Sequence, residues 1–382
     1  MDVTALQQYL SLHLFPHITN SQRVRLLQSS GSVSGLWHLL AQSSQEPFAD
    51  PDLNDTVVGL RRWCRQLPDR EIERQTALVD KLKLRVISIV DEHYPRLLRA
   101  IPSPPALLYC RGDLQCLPQP QLAMVGSRKA SPAGLRSARE FSVAAAQHGL
   151  TVTSGLAIGV DAEAHRAALS AGGNTVAVMA AGLDSVYPRS HRALADAVAE
   201  QGCLISEFAL GTAPARHHFP QRNRIISGLS LATLIVEASL PSGSLITAQT
   251  ALAQGREVLA LPWSIYHNGG LGCLQLLQDG AILVRDFDDI ILCIDCSTLR
   301  GLCQERHSMT TAAVVQPALK QAAIADLTTH QRDLLALVAV EPTTLEQLAE
   351  FSPDSPSALL ANLSTLELKG LIERVGGAYV RT

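Results

Sequence analysis

Several signals of membrane and secreted proteins are missing from this sequence of 382 residues. There is no run of about 18 uninterrupted apolar residues, so we expect no segment that crosses a membrane. The first residues, MDVTALQQYL, contain neither a basic stretch nor a long apolar stretch, which argues against a secretory signal peptide. Eight cysteines are scattered along the chain and do not form a disulfide framework. We therefore expect a cytoplasmic protein with reduced thiols.

The short motifs of several large enzyme classes are also absent. The sequence contains no GxxxxGK[ST] phosphate loop, no HExxH metalloprotease motif and no GxSxG nucleophile elbow. A zinc site built from Cys293, Cys296, Cys303 and His307 is disfavoured, because the first pair lies in an apolar run and lacks a second paired knuckle. We predict that the protein is not an enzyme, with no catalytic residue, no bound metal and no cofactor.

Charge of one sign is not in excess. The formal net charge is -3 and hydrophobic residues make up 47% of the chain, which is typical of a globular protein with two or three domains. The chain as a whole therefore has no basic signature, and any surface that binds nucleic acid must be a local patch.

What the sequence does contain is a regular alternation of apolar strands and amphipathic helices from about residue 82. The strand candidates include QLAMVGS, LTVTSG, NTVAVMAAG, CLISEF, LATLIVEA and REVLALPW. Continuous apolar strands separated by single helices require parallel pairing with helices on both faces. This pattern predicts an α/β fold with a doubly wound, Rossmann-like parallel sheet, whose ligands bind beyond the carboxyl ends of the strands.

The chain divides into four predicted segments. Residues 1–75 contain leucines at helical spacing and indicate a small helical module. The Rossmann-like domain covers residues 76–297, and a polar linker covers residues 298–322. Residues 323–382 have three helices followed by two short strands joined at Gly-Gly, which is the order of a winged-helix domain.

The first two strand-end loops carry the residue types that bind phosphate. In MVGSRKASPAG, Gly126 and Ser127 end a strand, and Arg128 and Lys129 add charge where free N–H groups of the next helix point. In TSGLAIGVDAEAH, Ser154 and Gly155 repeat this arrangement. The alternative for the first loop is an ordinary βα turn with solvated basic residues.

The second motif also raises the question of a catalytic pair. Asp161 and His165 are four residues apart, so they face the same side of a helix. A carboxylate–imidazole pair is conceivable, but a structural cap with a supporting histidine is the favoured interpretation.

Three further loops extend the candidate surface. The segment GLDSVYPRSH contributes Arg189, and the segment HHFPQRNRIISGLS is interpreted as a loop with a stacking aromatic, an amide and two phosphate-binding arginines. In EASLPSGSLITA a Ser-Gly-Ser turn opens a helix. The residues predicted from these loops to bind nucleic acid are Arg189, Phe219, Arg222, Asn223, Arg224, Gly243 and Ser244. Considered alone, this segment is explained more simply if Phe219 anchors it in the core and its arginines are surface charges. The arginines at neighbouring strand ends favour the alternative, in which the segment binds nucleic acid.

The ordered motifs VGSRKAS, SGLAIGVDAEAH, GLDSVYP, SEF, FPQRNRIISGLS and EASLPSGSLITA closely resemble those of the DNA-processing protein A family (DprA, also called Smf). The resemblance covers roughly residues 82–290. It implies a protein that binds and protects single-stranded DNA during natural transformation, helps to load a RecA-type recombinase onto that DNA, and forms a homodimer through the Rossmann-like domain. The N-terminal helices resemble the family's SAM-like or helix-hairpin-helix-like module.

By motif, the family's phosphate-binding arginine corresponds to Arg128 and its basic residue after Tyr-Pro corresponds to Arg189. Its base-contacting aromatic corresponds to Phe219, and the arginines of FPxRNR correspond to Arg222 and Arg224. Two positions depart from the family pattern, since Trp263 stands where glycine is usual and Leu274 where asparagine or histidine is common.

Two other functions remain open at this point. A nucleotide-processing enzyme of the phosphoribohydrolase, lysine-decarboxylase-like class would use Arg128 for phosphate and Glu237 at the glycosidic centre, but its Gly-Gly-x-Gly-Thr loop is replaced by PSGS. A transcription factor would bind duplex DNA through the winged helix, whose sixty or so residues contain few basic side chains.

Overall fold

The computed structural model consists of two compact units, Met1–Arg306 and His307–Thr382. It describes residues 5–41, 50–66, 69–294, 327–328, 331–332, 334–335, 338, 343–344, 348, 356–368, 372–375 and 378–381. Among these residues, no helix combines the length and the apolar character needed to cross a membrane.

The first unit begins with five helices: α1 Ala5–Leu14, α2 Asn20–Ser30, α3 Val33–Ala41, α4 Asn54–Gln66 and α5 Asp69–Lys81. The sequence of helix α2 explains where this helix begins and ends. The Thr19 hydroxyl accepts from the Gln22 N–H, the Gln22 side chain accepts from the Thr19 N–H, and Gly31 ends the helix with φ of 71°. The helical segment extends to Lys81, past the predicted boundary at residue 75, and its leucines share an apolar core with the sheet.

The nine strands of the first unit are β1 Arg85–Ser88, β2 Leu107–Gly112, β3 Gln121–Val125, β4 Thr151–Ser154, β5 Thr175–Val178, β6 Cys203–Ser206, β7 Ala232–Ile235, β8 Glu257–Ala260 and β9 Ile282–Leu283. Their order in the sheet is β1-β2-β6-β5-β4-β3-β7-β8-β9. Strands β3 to β9 pair in parallel, as predicted. Strands β1 and β2 differ, because β2 pairs antiparallel with both β1 and β6 and forms an added edge.

Eight helices accompany these strands: α6 Arg96–Arg99, α7 Pro132–Gln147, α8 Val160–Ser170, α9 Arg192–Gln201, α10 His218–Leu229, α11 Gly243–Ala253, α12 Leu271–Gln278 and α13 Phe287–Cys293. Side chains of β3 alternate between two cores. Leu122 and Met124 pack with residues of α7 and α8, whereas Ala123 and Val125 pack with residues of α10 and α11. The sheet is therefore covered on both faces, and the doubly wound Rossmann-like prediction is confirmed.

The topology places a crevice at the carboxyl end of β3. The chain runs from β3 to β4, β5 and β6 on one side, and then returns to β7, β8 and β9 on the other. In open α/β sheets, ligands bind where the strand order reverses in this way. The loops that follow β3, β4 and β7 meet at this point.

In the second unit, the described elements are α14 Pro356–Leu368, β10 Thr343–Thr344, β11 Ile372–Val375 and β12 Ala378–Arg381. The strands pair antiparallel in the order β10-β12-β11. Leu359, Leu363 and Leu366 of α14 form a core with Ile372 and Tyr379. A helix followed by a two-stranded wing agrees with the predicted winged-helix domain.

Candidate nucleic-acid interface

A cleft of about 530 Å³ opens at the point where the strand order reverses. We call it the central cleft. Its walls are the loop after β3, the start of α8, one side of α10, and the turn that opens α11. It brings together most of the predicted site residues: Gly126, Ser127, Arg128, Lys129, Phe219, Arg222, Asn223, Gly243 and Ser244.

The loop after β3 presents its basic side chains but uses much of its backbone internally. The Ser127 N–H donates to the Glu237 carbonyl oxygen at 2.7 Å, and the Lys129 N–H donates to the Ser127 hydroxyl at 3.1 Å. The side chains of Arg128 and Lys129 are exposed. The N–H groups predicted to attract phosphate are those at the start of α7, and one of them, the Gly134 N–H, already donates to the Ser131 hydroxyl at 3.0 Å.

Glu237 supports the same loop from below. Its carboxylate is 2% exposed and accepts from the Ser131 N–H at 3.0 and 3.1 Å and from the Ser131 hydroxyl at 2.6 Å. A Cβ on Gly134 would lie 2.0 Å from the Glu237 Oε2 atom, so a larger residue there would displace the carboxylate. Glu237 thus fastens the start of α7 to the end of β7, and the enzyme alternative loses the free carboxylate that it requires.

The segment HHFPQRNRIISGLS is a helix, and its interpretation as a loop was wrong. Helix α10 begins at His218, which puts Pro220 in the first turn, where a missing N–H costs no hydrogen bond. Its buried side chains include Arg222, Ile225, Ile226 and Leu229, which recur at the three- and four-residue spacing of one helix face.

Arg222 belongs to that buried face. Only 4% of the residue is exposed, and its Nη2 donates to the Gly155 carbonyl oxygen at 3.1 Å. Burial lowers the pKa of Arg222 to about 10, an effect that the nearby Asp161 carboxylate opposes. Asp161 accepts from the N–H groups of Gly155 and Ala157 at 3.1 and 3.4 Å, and burial raises its pKa. Arg222 and Asp161 therefore hold the loop after β4 in place at the inner wall of the central cleft.

Phe219 lies one turn earlier on α10, between two cations and another ring. The Arg128 guanidinium lies over its ring, 5.0 Å from the centroid, and that of Arg222 lies 5.9 Å away. The Tyr187 ring meets Phe219 at a centroid distance of 5.9 Å and an angle of 62°. The predicted stacking residue is half-buried rather than fully exposed, and it already carries a cation on its ring.

Four predicted site residues do not line the central cleft. Ser154 is fully buried and its hydroxyl donates to the Met124 carbonyl oxygen at 2.6 Å, which ties β4 to β3. Arg224 points away from the cleft and forms an ion pair with Glu207, whose pKa is raised by burial. Arg189 is exposed and lines a separate groove. Gly155, by contrast, lies directly behind Arg222 at the cleft wall.

Asp161 and His165 do not form a catalytic pair. The His165 imidazole is fully buried, and its Nδ1 lies 2.6 Å from the Thr175 hydroxyl. That hydroxyl donates its own proton to the Val152 carbonyl oxygen, so His165 must be the donor to Thr175. Burial lowers the pKa of His165 to about 3. Both residues are structural, but Asp161 is not the helix cap that the sequence analysis favoured, because the N-cap of α8 is Gly159 and Asp161 accepts from the loop before the helix.

The structure also gives a role to Trp263, one of the two departures from the family pattern. Its indole N–H donates to the Val236 carbonyl oxygen at 2.9 Å, and its ring stacks on His267 at 4.5 Å. Sequence reasoning did not predict this clamp, nor the role of Asp161 as the counterion of Arg222. A buried arginine after a strand-end loop is a signal that a carboxylate must lie nearby.

In the described part of the chain, no group of three or more histidine, cysteine, aspartate or glutamate side chains is arranged so that it could hold a metal ion. Of the four residues considered for zinc, Cys293 ends α13, while Cys296, Cys303 and His307 lie outside the described residues.

Comparisons with known proteins agree with this geometry. The family described as DNA recombination-mediator protein A matches residues 85–295, and the DprA winged helix domain matches residues 317–378. The Protein Smf of Escherichia coli is 40% identical over 332 residues, which are 86% of each chain. The structure of DNA processing protein A from Streptococcus pneumoniae superimposes with a TM-score of 0.63 at 32% identity, covering 76% of this chain and 98% of that one.

A second solved structure, DNA processing protein A from Helicobacter pylori, is similar with a TM-score of 0.51 at 26% identity, over 58% of this chain and 97% of that one. Its description reports a single-stranded DNA binding mode for that protein. With the matched family profile, the strand order and the ordered strand-end motifs in agreement, this chain belongs to the DNA recombination-mediator protein A family.

Proposed function

We propose that this protein binds single-stranded DNA in the central cleft and delivers it to a RecA-type recombinase. The observation that carries the proposal is the Phe219 ring, which lies under the Arg128 guanidinium at the edge of a cleft lined by exposed basic side chains. An aromatic ring beside cations matches the two parts of an unpaired nucleotide, its base and its phosphate. The reported single-strand binding of the Helicobacter pylori relative supports the same assignment.

The residues divide into those that contact DNA and those that support them. Arg128 and Lys129 bind phosphates, and the Gly243 end of α11 adds the positive end of a helix. When a base arrives, it stacks on Phe219 in exchange for the Arg128 guanidinium, which then moves to the adjoining phosphate. Asn223 and Ser244 provide polar contacts within the cleft, alongside Gly126 and Ser127.

Arg222, Gly155 and Ser154 act behind these contacts, because burial and internal hydrogen bonds keep them from a strand in the cleft. Arg224 is assigned to the ion pair with Glu207 and not to DNA. Arg189 binds phosphate outside the central cleft.

A titration of labelled oligonucleotides over a salt series tests the proposal. We expect single strands to bind more tightly than duplexes of the same length, with little sequence preference and an affinity that falls steeply as salt increases. Equal affinity for the two forms, or an affinity independent of salt, contradicts the proposal.

The recombinase and the dimer need separate measurements. Delivery is tested by the rate at which a RecA-type recombinase forms filaments on DNA coated with a single-strand binding protein; no acceleration contradicts this part. A homodimer through the Rossmann-like domain is tested by light scattering on the full chain and on a chain without the winged helix. Each is expected to have twice the mass of its own single chain.

We also propose that the protein acts in the cytoplasm and has no catalytic activity of its own. The enzyme alternative predicts release of free base from nucleoside monophosphates. Glu237, the carboxylate that it would use, is buried and bonded to Ser131. Incubation with the four common ribonucleotides and separation of the products is expected to show no free base.

A further inference from the structure

A second concave surface, larger than the central cleft, lies along α9. It has a volume of about 1040 Å³, and we call it the basic groove. Five cationic residues line it: Lys81, Lys83, Arg111, Arg189 and Arg192. They come from distant parts of the sequence, so no single sequence motif predicts the groove. Only Arg189 belongs to the set of residues predicted to bind DNA.

The acidic side chains of the groove do not neutralise this charge. Asp184, Asp196 and Glu200 also line it. Asp196 forms an ion pair with Arg111 at 2.8 Å. In the described part of the chain, the other four cations have no ion-pair partner, and all four side chains are exposed. The groove thus carries four unpaired positive charges, although the formal net charge of the protein is -3.

Stability does not explain where the arginines lie. Arg192 is the first residue of α9, and Arg189 lies in the turn just before it. Cations at a helix amino terminus meet the positive end of the helix dipole and weaken the fold slightly. A bound anion would reverse that effect.

One short loop connects the central cleft with the groove. Tyr187 packs on Phe219 of the cleft, and Arg189, two residues later, lines the groove. The loop is anchored where it enters α9, because the His191 Nδ1 lies 2.9 Å from the Leu156 carbonyl oxygen. A strand leaving Phe219 past Tyr187 therefore meets Arg189 and Arg192 next, and then the side of α9, which is about 15 Å long.

We propose that the basic groove is a second binding segment for single-stranded DNA, which holds the sugar–phosphate backbone of the nucleotides next to those in the central cleft. The inference rests on the proposed function of the cleft. It assigns new contacts to Lys81, Lys83 and Arg192, with Arg189 as the link between the two segments. Base recognition is not expected there, since the groove offers cations and no aromatic ring.

The experiment compares two oligothymidylates, one of about 6 nucleotides that fills the central cleft and one of about 20 that reaches the groove as well. The test variant is Lys81→Ala with Arg192→Ala. The control is Arg136→Ala with Arg166→Ala, which removes the same charge from exposed positions on α7 and α8. We expect the test variant to bind the longer oligonucleotide about tenfold more weakly, with a salt slope shallower by about 1.4. Its affinity for the shorter one, and both affinities of the control, are expected to stay within about twofold of the original protein.

The outcomes separate the two proposals. If the unaltered protein binds neither oligonucleotide, the proposed function itself fails. If it binds both, and the test variant weakens both equally or neither, the groove is not part of the path. A third outcome also overturns the inference. If the unaltered protein binds duplex more tightly than the longer single strand, and the test variant loses this preference, the groove binds another ligand.

A second variant covers the case in which the first fails to fold. Glu200→Gln removes an exposed negative charge from the groove and leaves its cations in place. It is expected to raise the affinity for the longer oligonucleotide about twofold and to leave the shorter one unchanged. No change, or a rise for both lengths, contradicts the groove.

Discussion

The Arg222 guanidinium occupies the space that a side chain at residue 155 would need. Its Nη2 donates to the Gly155 carbonyl oxygen at 3.1 Å, and a Cβ on Gly155 would lie 1.6 Å from Nη1. The glycine after β4 is therefore required by a buried arginine of α10, and the two residues join the loop after β4 to that helix.

Replacing Gly155 is expected to break this connection. Gly155→Ala should lower the free energy of unfolding by about 3 kcal/mol, because the buried guanidinium must leave its carbonyl partner and the Asp161 carboxylate. Chemical denaturation measures the change. Gly243→Ala is the control, since a Cβ at Gly243 meets nothing within 4 Å; a similar loss in both variants would show that the contact with Arg222 is not the cause.

The two arginines Arg128 and Arg224 are expected to behave differently, although both correspond to family motif positions. Arg128→Ala should weaken binding of single-stranded DNA and make its salt slope shallower by about 0.7, because one exposed phosphate contact is lost. Arg224→Ala should leave the slope unchanged and lower the free energy of unfolding by about 3 kcal/mol, because the carboxylate of Glu207, whose side chain is only 14% exposed, is left without its partner. Fluorescence anisotropy and denaturation measure the two effects. An altered salt slope in Arg224→Ala would show that Arg224 contacts DNA.

Stability should fall in mild acid because the pKa values of two histidines, the fully buried His165 and the partly buried His13, are low in the folded protein. Burial lowers the pKa values of His13 and His165 to about 3, whereas an unfolded histidine has a pKa near 6.5. Between these values the unfolded chain binds protons that the folded chain does not, so the free energy of unfolding falls as the pH falls below about 6.5. Within that window each histidine contributes a slope of about 1.4 kcal/mol per pH unit.

Denaturation at several pH values between about 4.5 and 7 checks this expectation. His165→Leu should remove one such contribution, and the double variant with His13→Leu should remove both. Slopes equal to that of the unaltered protein would show that these imidazoles are protonated in the folded state.

Trp263 should be needed for the order of the loop at residues 262–270. Trp263→Phe keeps a ring to stack on His267 but loses the hydrogen bond to the Val236 carbonyl oxygen, a loss of about 1 kcal/mol. Trp263→Ala loses both contacts and should make the exposed Ile265 and Tyr266 more accessible to proteolysis. Unchanged cleavage in the alanine variant would contradict the clamp.

The sheet could be predicted from the sequence because its signal is local. Each parallel strand is a short run of mostly apolar residues, and the alternation with helices leaves few topologies possible. The antiparallel pairing of β2 with β6 was not predictable in this way, since it joins segments about ninety residues apart.

The site was predictable only in part, and α10 shows why. Phe-Pro suggests a turn, but a proline in the first turn of a helix is tolerated. Once the segment is helical, Arg222 and Arg224 differ by about 200° around the helix axis, so they cannot face the same ligand. The placement of Arg128 and Lys129 in the cleft was predicted correctly, because both residues lie in a single turn at the end of a strand.

The bond from the Ser127 N–H to the Glu237 carbonyl oxygen has a consequence for how affinity can vary among related chains. Main-chain donors survive every substitution except one by proline, whereas the guanidinium and ammonium groups at residues 128 and 129 are each removed by one codon change. Because part of the backbone is used to hold the loop closed, the affinity for a polyanion depends on these two side chains. Its strength can thus be adjusted in small increments while the scaffold beneath stays the same.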